Sequence, residues 1–193
     1  MNASMSRAMG AAVAVALTFS LAACGDDDGD DRAEADATTT SEAAGAETVE
    51  TVDVTAVDYR YEGLPSSVEA GTRLTLQNDS TREVHELVAI RIPEDETRPV
   101  DELAALPPDE LFAVFPGEPA AVLLAPPSEE AFAAVGDGTL TEPGRYLLFC
   151  AIPTGADPEV FLAELETSEG EPPDVPGGPP HFVGGMFAEL EVH

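Results

Sequence analysis

From residue 52 onward the chain sets apolar against polar positions in short runs, the period-two signature of half-buried strands. Residues 52–61 form the first β-rich run and are broken by Glu62-Gly63-Leu64-Pro65. Residues 67–72 read as a short strand and turn, and 73–78 alternate until the turn signal Asn78-Asp79-Ser80. Residues 84–92 predict the next strand, with His85, Leu87 and Ala89 on one face and Val84, Glu86, Val88 and Ile90 on the other. Residues 120–125 predict a strand. Residues 146–150 predict one that is apolar on both faces, as befits the interior of a sandwich, and 187–192 an alternating final strand. Helical patterning is sparse. Residues 99–106 predict a short helix that stops at Pro107-Pro108. Residues 128–135 open on an N-cap serine and predict one or two helical turns, and 160–165 form a helical patch. Short strands, Gly/Pro turns and long irregular connections predict an all-β fold over residues 50–193, a Greek-key β-sandwich with short helices in its connections. A domain of this size buries roughly 70% of its unfolded surface and needs no disulfide.

The first 49 residues do not follow this pattern. Residues 25–48 contain no aromatic and no aliphatic larger than alanine. Such a stretch has too little to bury, so it reads as a disordered, charge-extended tether. Before it, Arg7 precedes an apolar run over residues 9–23, shorter than the roughly 20 residues needed to span a bilayer. The run ends Leu21-Ala22-Ala23-Cys24-Gly25, which resembles the lipobox of bacterial lipoproteins. That resemblance implies cleavage before Cys24 and lipidation of its sulfur, and several acyl chains anchor stably where one is marginal. The resulting map is a lipoprotein signal peptide at 1–23, a lipid-anchored acidic tether at 24–49, and a domain at 50–193. The place it implies is the extracytoplasmic face of the bacterial cell membrane.

Charge narrows the partners. Acidic residues outnumber basic ones by 38 to 8, giving a net charge of -30, and every basic residue is arginine. Phosphates would be repelled, so nucleic acid is excluded as a ligand. The excess fits a self-repelling surface or docking to a basic partner. No Ser-His-Asp set, phosphate loop or paired-carboxylate motif stands out, so neither an enzyme nor a small-molecule substrate is expected. Of the two cysteines, Cys24 is assigned to lipid, which leaves Cys150 without an intramolecular partner in an oxidising compartment.

Metal ligation makes such a thiol safe. Cys150 ends a strand, His181 and Met186 follow it, and His85 opens an apolar strand upstream. One thiolate, two imidazoles and a thioether are the ligand set of a type 1 copper site. Zinc is the rival for Cys and two His, but its sites rarely use methionine. Taken singly, each residue has a plain structural reading: His85 a strand histidine bonded to backbone, Cys150 an inert core thiol, His181 a loop residue after two prolines, Met186 core filler. His193 is a lesser candidate for a ligand.

With these elements in order, residues 52–92 and 139–192 resemble a cupredoxin, the plastocyanin-like blue copper domain. The Val68-Glu69-Ala70-Gly71 turn, the Asn78 turn leading to His85, Gly144-Arg145-Tyr146 leading to Cys150, and His181-x4-Met186 carry the resemblance. It implies one copper held by His85 and His181 as equatorial imidazoles, Cys150 as thiolate and Met186 as axial ligand. It also implies single-electron transfer with a redox partner protein at the membrane. Copper storage or delivery, and a copper-free interaction module, are the alternatives. The departure from the pattern is the separation of Cys150 from His181, which makes about 154–180 an insertion within the ligand loop. Closure cost grows slowly with loop length, so ligation survives if the loop's ends meet.

Overall fold

A computed structural model describes residues 49–168 and 172–193. The proposed signal peptide, Cys24 and all of the tether but residue 49 lie outside the described residues. The domain is a sandwich of two sheets. Its strands are β1 (Thr51–Val57), β2 (Arg60–Glu62), β3 (Ser67–Val68), β4 (Thr72–Asn78), β5 (His85–Arg91), β6 (Ala121–Ala125), β7 (Phe132–Val135), β8 (Thr139–Leu140), β9 (Gly144–Phe149) and β10 (Phe187–Val192). One sheet has the order β2-β1-β4-β8 and the other β3-β10-β9-β5-β6-β7. β1 runs parallel to β4 and β10 parallel to β3; the remaining ladders are antiparallel. Among the described residues, three α-helices, α1 (Val100–Ala104), α2 (Pro108–Val114) and α3 (Pro158–Thr167), lie in the connections. None of the described helices is long and apolar enough to cross a membrane.

The period-two pattern of β5 and β9 sorts their side chains between two apolar clusters. His85, Leu87 and Ala89 of β5, and Tyr146 and Leu148 of β9, turn inward, where all but the histidine pack with Val54, Leu74, Leu76 and Leu190 between the sheets. Val88, Ile90, Leu147 and Phe149 turn outward and pack with Leu103, Leu111 and Phe115 from the α1–α2 segment. The larger sheet is thus buried on both faces, which is why residues 146–149 read as apolar throughout. The second cover is a helical one, not another sheet. Val84, expected on the outward face, precedes β5 and is buried in the inner cluster.

Two expectations about local structure need correction and two need extension. The run 52–61 is not one strand: it folds back at Asp58-Tyr59, where Tyr59 takes φ +62, and β1 pairs with β2 as a hairpin. Residues 128–135 are not helical. Ser128 has φ +62, which no N-cap adopts, and residues 132–135 pair with β6 as an edge strand. The short helix expected over 99–106 is α1 and does stop before Pro107, but a second helix follows at once. Pro108 opens it, since proline at the first helical position has no amide bond to lose. The patch at 160–165 is part of a longer helix, α3, capped by the Asp157 carboxylate, which accepts from the Glu159 and Val160 amides.

Candidate metal centre

Two strands deliver the first candidate ligands. His85 is the first residue of β5, and its register partner on β6 is Ala125. Asn78, fully buried at the end of β4, donates through its amide to the carbonyls of Glu83 and Ala125, both at 2.9 Å, and accepts from the Ser80 amide at 2.8 Å. One side chain therefore fixes the backbone on both sides of His85. Cys150 follows directly on β9, the strand hydrogen-bonded to β5.

The chain then leaves and returns. Pro153 and Pro180 form a single antiparallel bridge. The Thr154 amide donates to the Pro179 carbonyl (3.1 Å), the Gly178 amide to Thr154 (2.8 Å) and the His181 amide to Ile152 (3.0 Å). This short stem closes the 154–180 excursion. It hands the chain to a 3-10 turn, His181–Gly184, that Gly185 ends at φ +108. Two further backbone bonds knit the returning segment to the departing one, Phe182 to the Cys150 carbonyl (2.9 Å) and Cys150 to the Met186 carbonyl (3.2 Å), and a third, Met186 to the His181 carbonyl (3.2 Å), closes the returning segment on itself. The excursion is itself anchored, with Ala156, Phe161 and Val175 buried in the inner cluster.

These elements bring His85, Cys150 and His181 together. Their donor atoms lie within 4.8 Å of one another, and all three residues are buried. His181 Nδ1 is 3.2 Å from His85 Nδ1 and 3.2 Å from Cys150 Sγ. Met186 is equally buried and is tied through its backbone to both Cys150 and His181. His193, exposed after β10, is not in the cluster.

The surroundings set the charges. Burial first, and then the proximity of His181, lowers the pKa of His85 to about 4, against the raising effect of Asp58. Burial also lowers His181, against the raising effect of Glu83 and Asp58. Both rings are therefore neutral at pH 7, the state in which imidazole ligates. Burial pushes the Cys150 thiol well up, reinforced by the charge of Glu86, although the Glu86 amide donates to the sulfur at 3.4 Å. A thiol buried in this way stays protonated at neutral pH, and a binding metal cation would displace that proton to solvent. Glu86 itself is raised to about 7 by burial, partly offset by the Ala151 amide, which donates to its carboxylate at 2.9 Å.

Three neighbours carry no signal in the sequence. Tyr59 sets its ring edge-on to His181, with centroids 5.1 Å apart. Asp58 and Glu83 place carboxylate oxygens near the two Nε2 atoms. Each is one acidic or aromatic residue among many, placed by turns whose geometry the pattern does not specify. On the outer side Phe149 and Phe182, each adjacent in sequence to a candidate ligand, pack edge-to-face at 5.9 Å.

No protein-family model matches the chain, and no curated protein does. Among solved structures it is similar to the dithionite-reduced auracyanin of the photosynthetic bacterium Roseiflexus castenholzii, at 22% identity and a TM-score of 0.40, covering 74% of this chain and 96% of that one. It is similar too to auracyanin A, a "blue" copper protein of Chloroflexus aurantiacus, at 17% identity and 0.38 over 74% and 98%. A third is a multi-copper oxidase from Pediococcus acidilactici, at 12% identity and 0.34 over 83% of this chain and 29% of that one.

Proposed function

We propose that the chain is a type 1 copper protein of the cupredoxin kind, lipid-anchored outside the cytoplasmic membrane, that carries single electrons. The observation that carries this reading is the convergence of one thiol and two neutral imidazoles, from sites far apart in the chain, into one buried cluster. Cys150, His85 and His181 would hold the metal, and Met186 is the fourth donor. A soft thiolate with two imidazoles and a thioether suits copper in both oxidation states, whereas zinc seldom takes the thioether. Bound there, copper supplies a one-electron couple. The protein's part is to hold the donors in a fixed arrangement under apolar cover, so that little reorganises when the charge changes, and to keep water away.

The tether and anchor are supported by residues 9–25, where an apolar run meets Leu21-Ala22-Ala23-Cys24. The redox partner is a protein with a basic docking face, favoured by the net charge of -30.

The test is to express the full chain, add Cu(II), and compare its visible spectrum with that of Cys150→Ser. An intense thiolate-to-copper band that bleaches on reduction, present in the wild type and absent from the variant, is the expected result. Identical spectra would end the reading. For the anchor, Cys24→Ser is expected to leave the membrane fraction; retention there would remove the lipid from the account.

A further inference from the structure

Two carboxylates stand behind the two histidines, on the sides that face away from the cluster. The Nε2 atoms of His85 and His181 are buried and have no hydrogen-bond partner among the described residues. Glu83 Oε2 lies 3.5 Å from His181 Nε2, and Asp58 Oδ1 lies 3.9 Å from His85 Nε2. A neutral imidazole carries one proton, on one of its two nitrogens. The two Nδ1 atoms face each other at 3.2 Å, so a proton on both would set donor against donor. A buried polar atom without a partner is costly, and an acceptor a few tenths of an ångström beyond bonding range is the cheapest remedy.

We propose that Glu83 and Asp58 are positioning residues for the two imidazoles, each carboxylate accepting a hydrogen bond from the Nε2–H of one ring so that the proton stays on Nε2 and both Nδ1 atoms stay open to the metal. This rests on the copper reading for its consequence, though the pairing itself does not need the metal. The two carboxylates are not equivalent. The Glu83 side chain is 16% exposed and its Oε2 also accepts from the Gly155 amide at 3.2 Å, whereas Asp58 is 54% exposed. Glu83 is thus held in place and Asp58 is free to turn to solvent. Gly155 opens the long excursion, at φ +73. One function of that excursion follows: it supplies the amide that clamps Glu83 against His181.

The chemical consequence has a sign. A carboxylate accepting from an imidazole N–H makes the ring a stronger donor through its other nitrogen. Its negative charge also favours the more positive oxidation state. Both effects stabilise Cu(II) over Cu(I) and lower the reduction potential.

The test uses the full chain as wild type, Glu83→Gln, Asp58→Asn and the remote exposed control Glu118→Gln. In the metal-free protein, 15N chemical shifts are expected to show His181 protonated at Nε2. In Glu83→Gln the two tautomers should mix, because an amide donates as well as accepts. In the copper-loaded proteins Glu83→Gln should shift the Cu(II)/Cu(I) balance about tenfold toward Cu(I), equal to roughly 59 mV for one electron. Asp58→Asn should shift it less, and Glu118→Gln not at all. A wild-type His181 protonated at Nδ1, or a Glu83→Gln potential indistinguishable from that of Glu118→Gln, would overturn the proposal. A wild type lacking the thiolate–copper band would instead overturn the copper reading, while the metal-free spectra still decide whether Glu83 holds the His181 proton.

Discussion

Pro153 and Pro180 face each other in an antiparallel bridge, and through them a loop of more than twenty residues begins and ends at one place. Cys150 and His181, 31 positions apart in sequence, are thereby brought to 3.2 Å. The bridge is the reason so long an excursion is compatible with a compact cluster of His85, Cys150 and His181.

Gly177 lets the stem close. A Cβ there would lie 2.5 Å from Pro153 Cβ and 3.1 Å from the Thr154 carbonyl. Gly177→Ala is expected to spread the stem, costing about 1–3 kcal/mol as an overpacked contact does. The thermal midpoint should fall, and the copper band should broaden or shift while the far-UV spectrum holds. An unchanged midpoint and an unchanged band would show that the stem does not constrain the ligands.

Phe161 ties the excursion to the inner cluster at 3% exposure. Phe161→Ala should destabilise the whole domain by about 3–5 kcal/mol, the usual cost of emptying a buried aromatic site. Denaturant unfolding that still shows a single transition, with a lower midpoint, is the expected record. A loss confined to local amide exchange in residues 154–180 would mean the excursion hangs on the domain without stabilising it.

Asn78 fixes the approach to His85 with three hydrogen bonds. Asn78→Ala leaves the Glu83 and Ala125 carbonyls and the Ser80 amide without their partner, so a loss of about 2–3 kcal/mol is expected. Because Glu83 and Ala125 bracket His85, metal affinity should fall further than in an equally destabilised core variant remote from the site. Equal affinities in the two would separate the Asn78 bonds from ligand placement.

Metal uptake should depend on pH with a definite sign. The thiol is raised by burial, so at neutral pH it must lose a proton on binding, while the imidazoles, lowered by the same burial, are already neutral. Affinity for Co(II), a redox-silent visible probe, should therefore rise about tenfold per pH unit from the thiol alone. It should steepen near pH 7, where Glu86 is half-protonated and a nearby cation would expel its proton. Below about pH 4, protonation of His85 adds a further loss. Calorimetry in buffers of different ionisation enthalpy counts the released protons. None released at pH 7 would contradict the protonated thiol.

Much of this was legible in the residues. Alternating runs mark β4, β5 and β10, and continuous apolar runs mark β6 and β9, because the inner cluster and, for β9, the outer cover each claim a face. His85, Cys150 and His181, far apart in the chain, were legible as candidates because each sits at a strand end or in the segment after one, and the fold brings these three together. The failures share a cause. Whether residues 128–135 become helix or strand depends on a distant edge: the Ala131 amide donates to Leu76 and Glu130 bridges Gln77, so β4 captures the segment before a helix forms. The α1–α2 cover was invisible because a buried outer face looks the same in sequence whichever element covers it. Asp58 and Glu83 were lost among 38 acidic residues, since their significance lies in where a turn aims them.

His85, Cys150 and His181 are all entirely enclosed, with no measurable exposure. No chelator or dissolved anion meets a donor atom while the stem is shut. Under the copper reading, an ion could enter or leave only when the enclosing backbone opens, and the stem at Pro153 and Pro180 is one seam at which it could part.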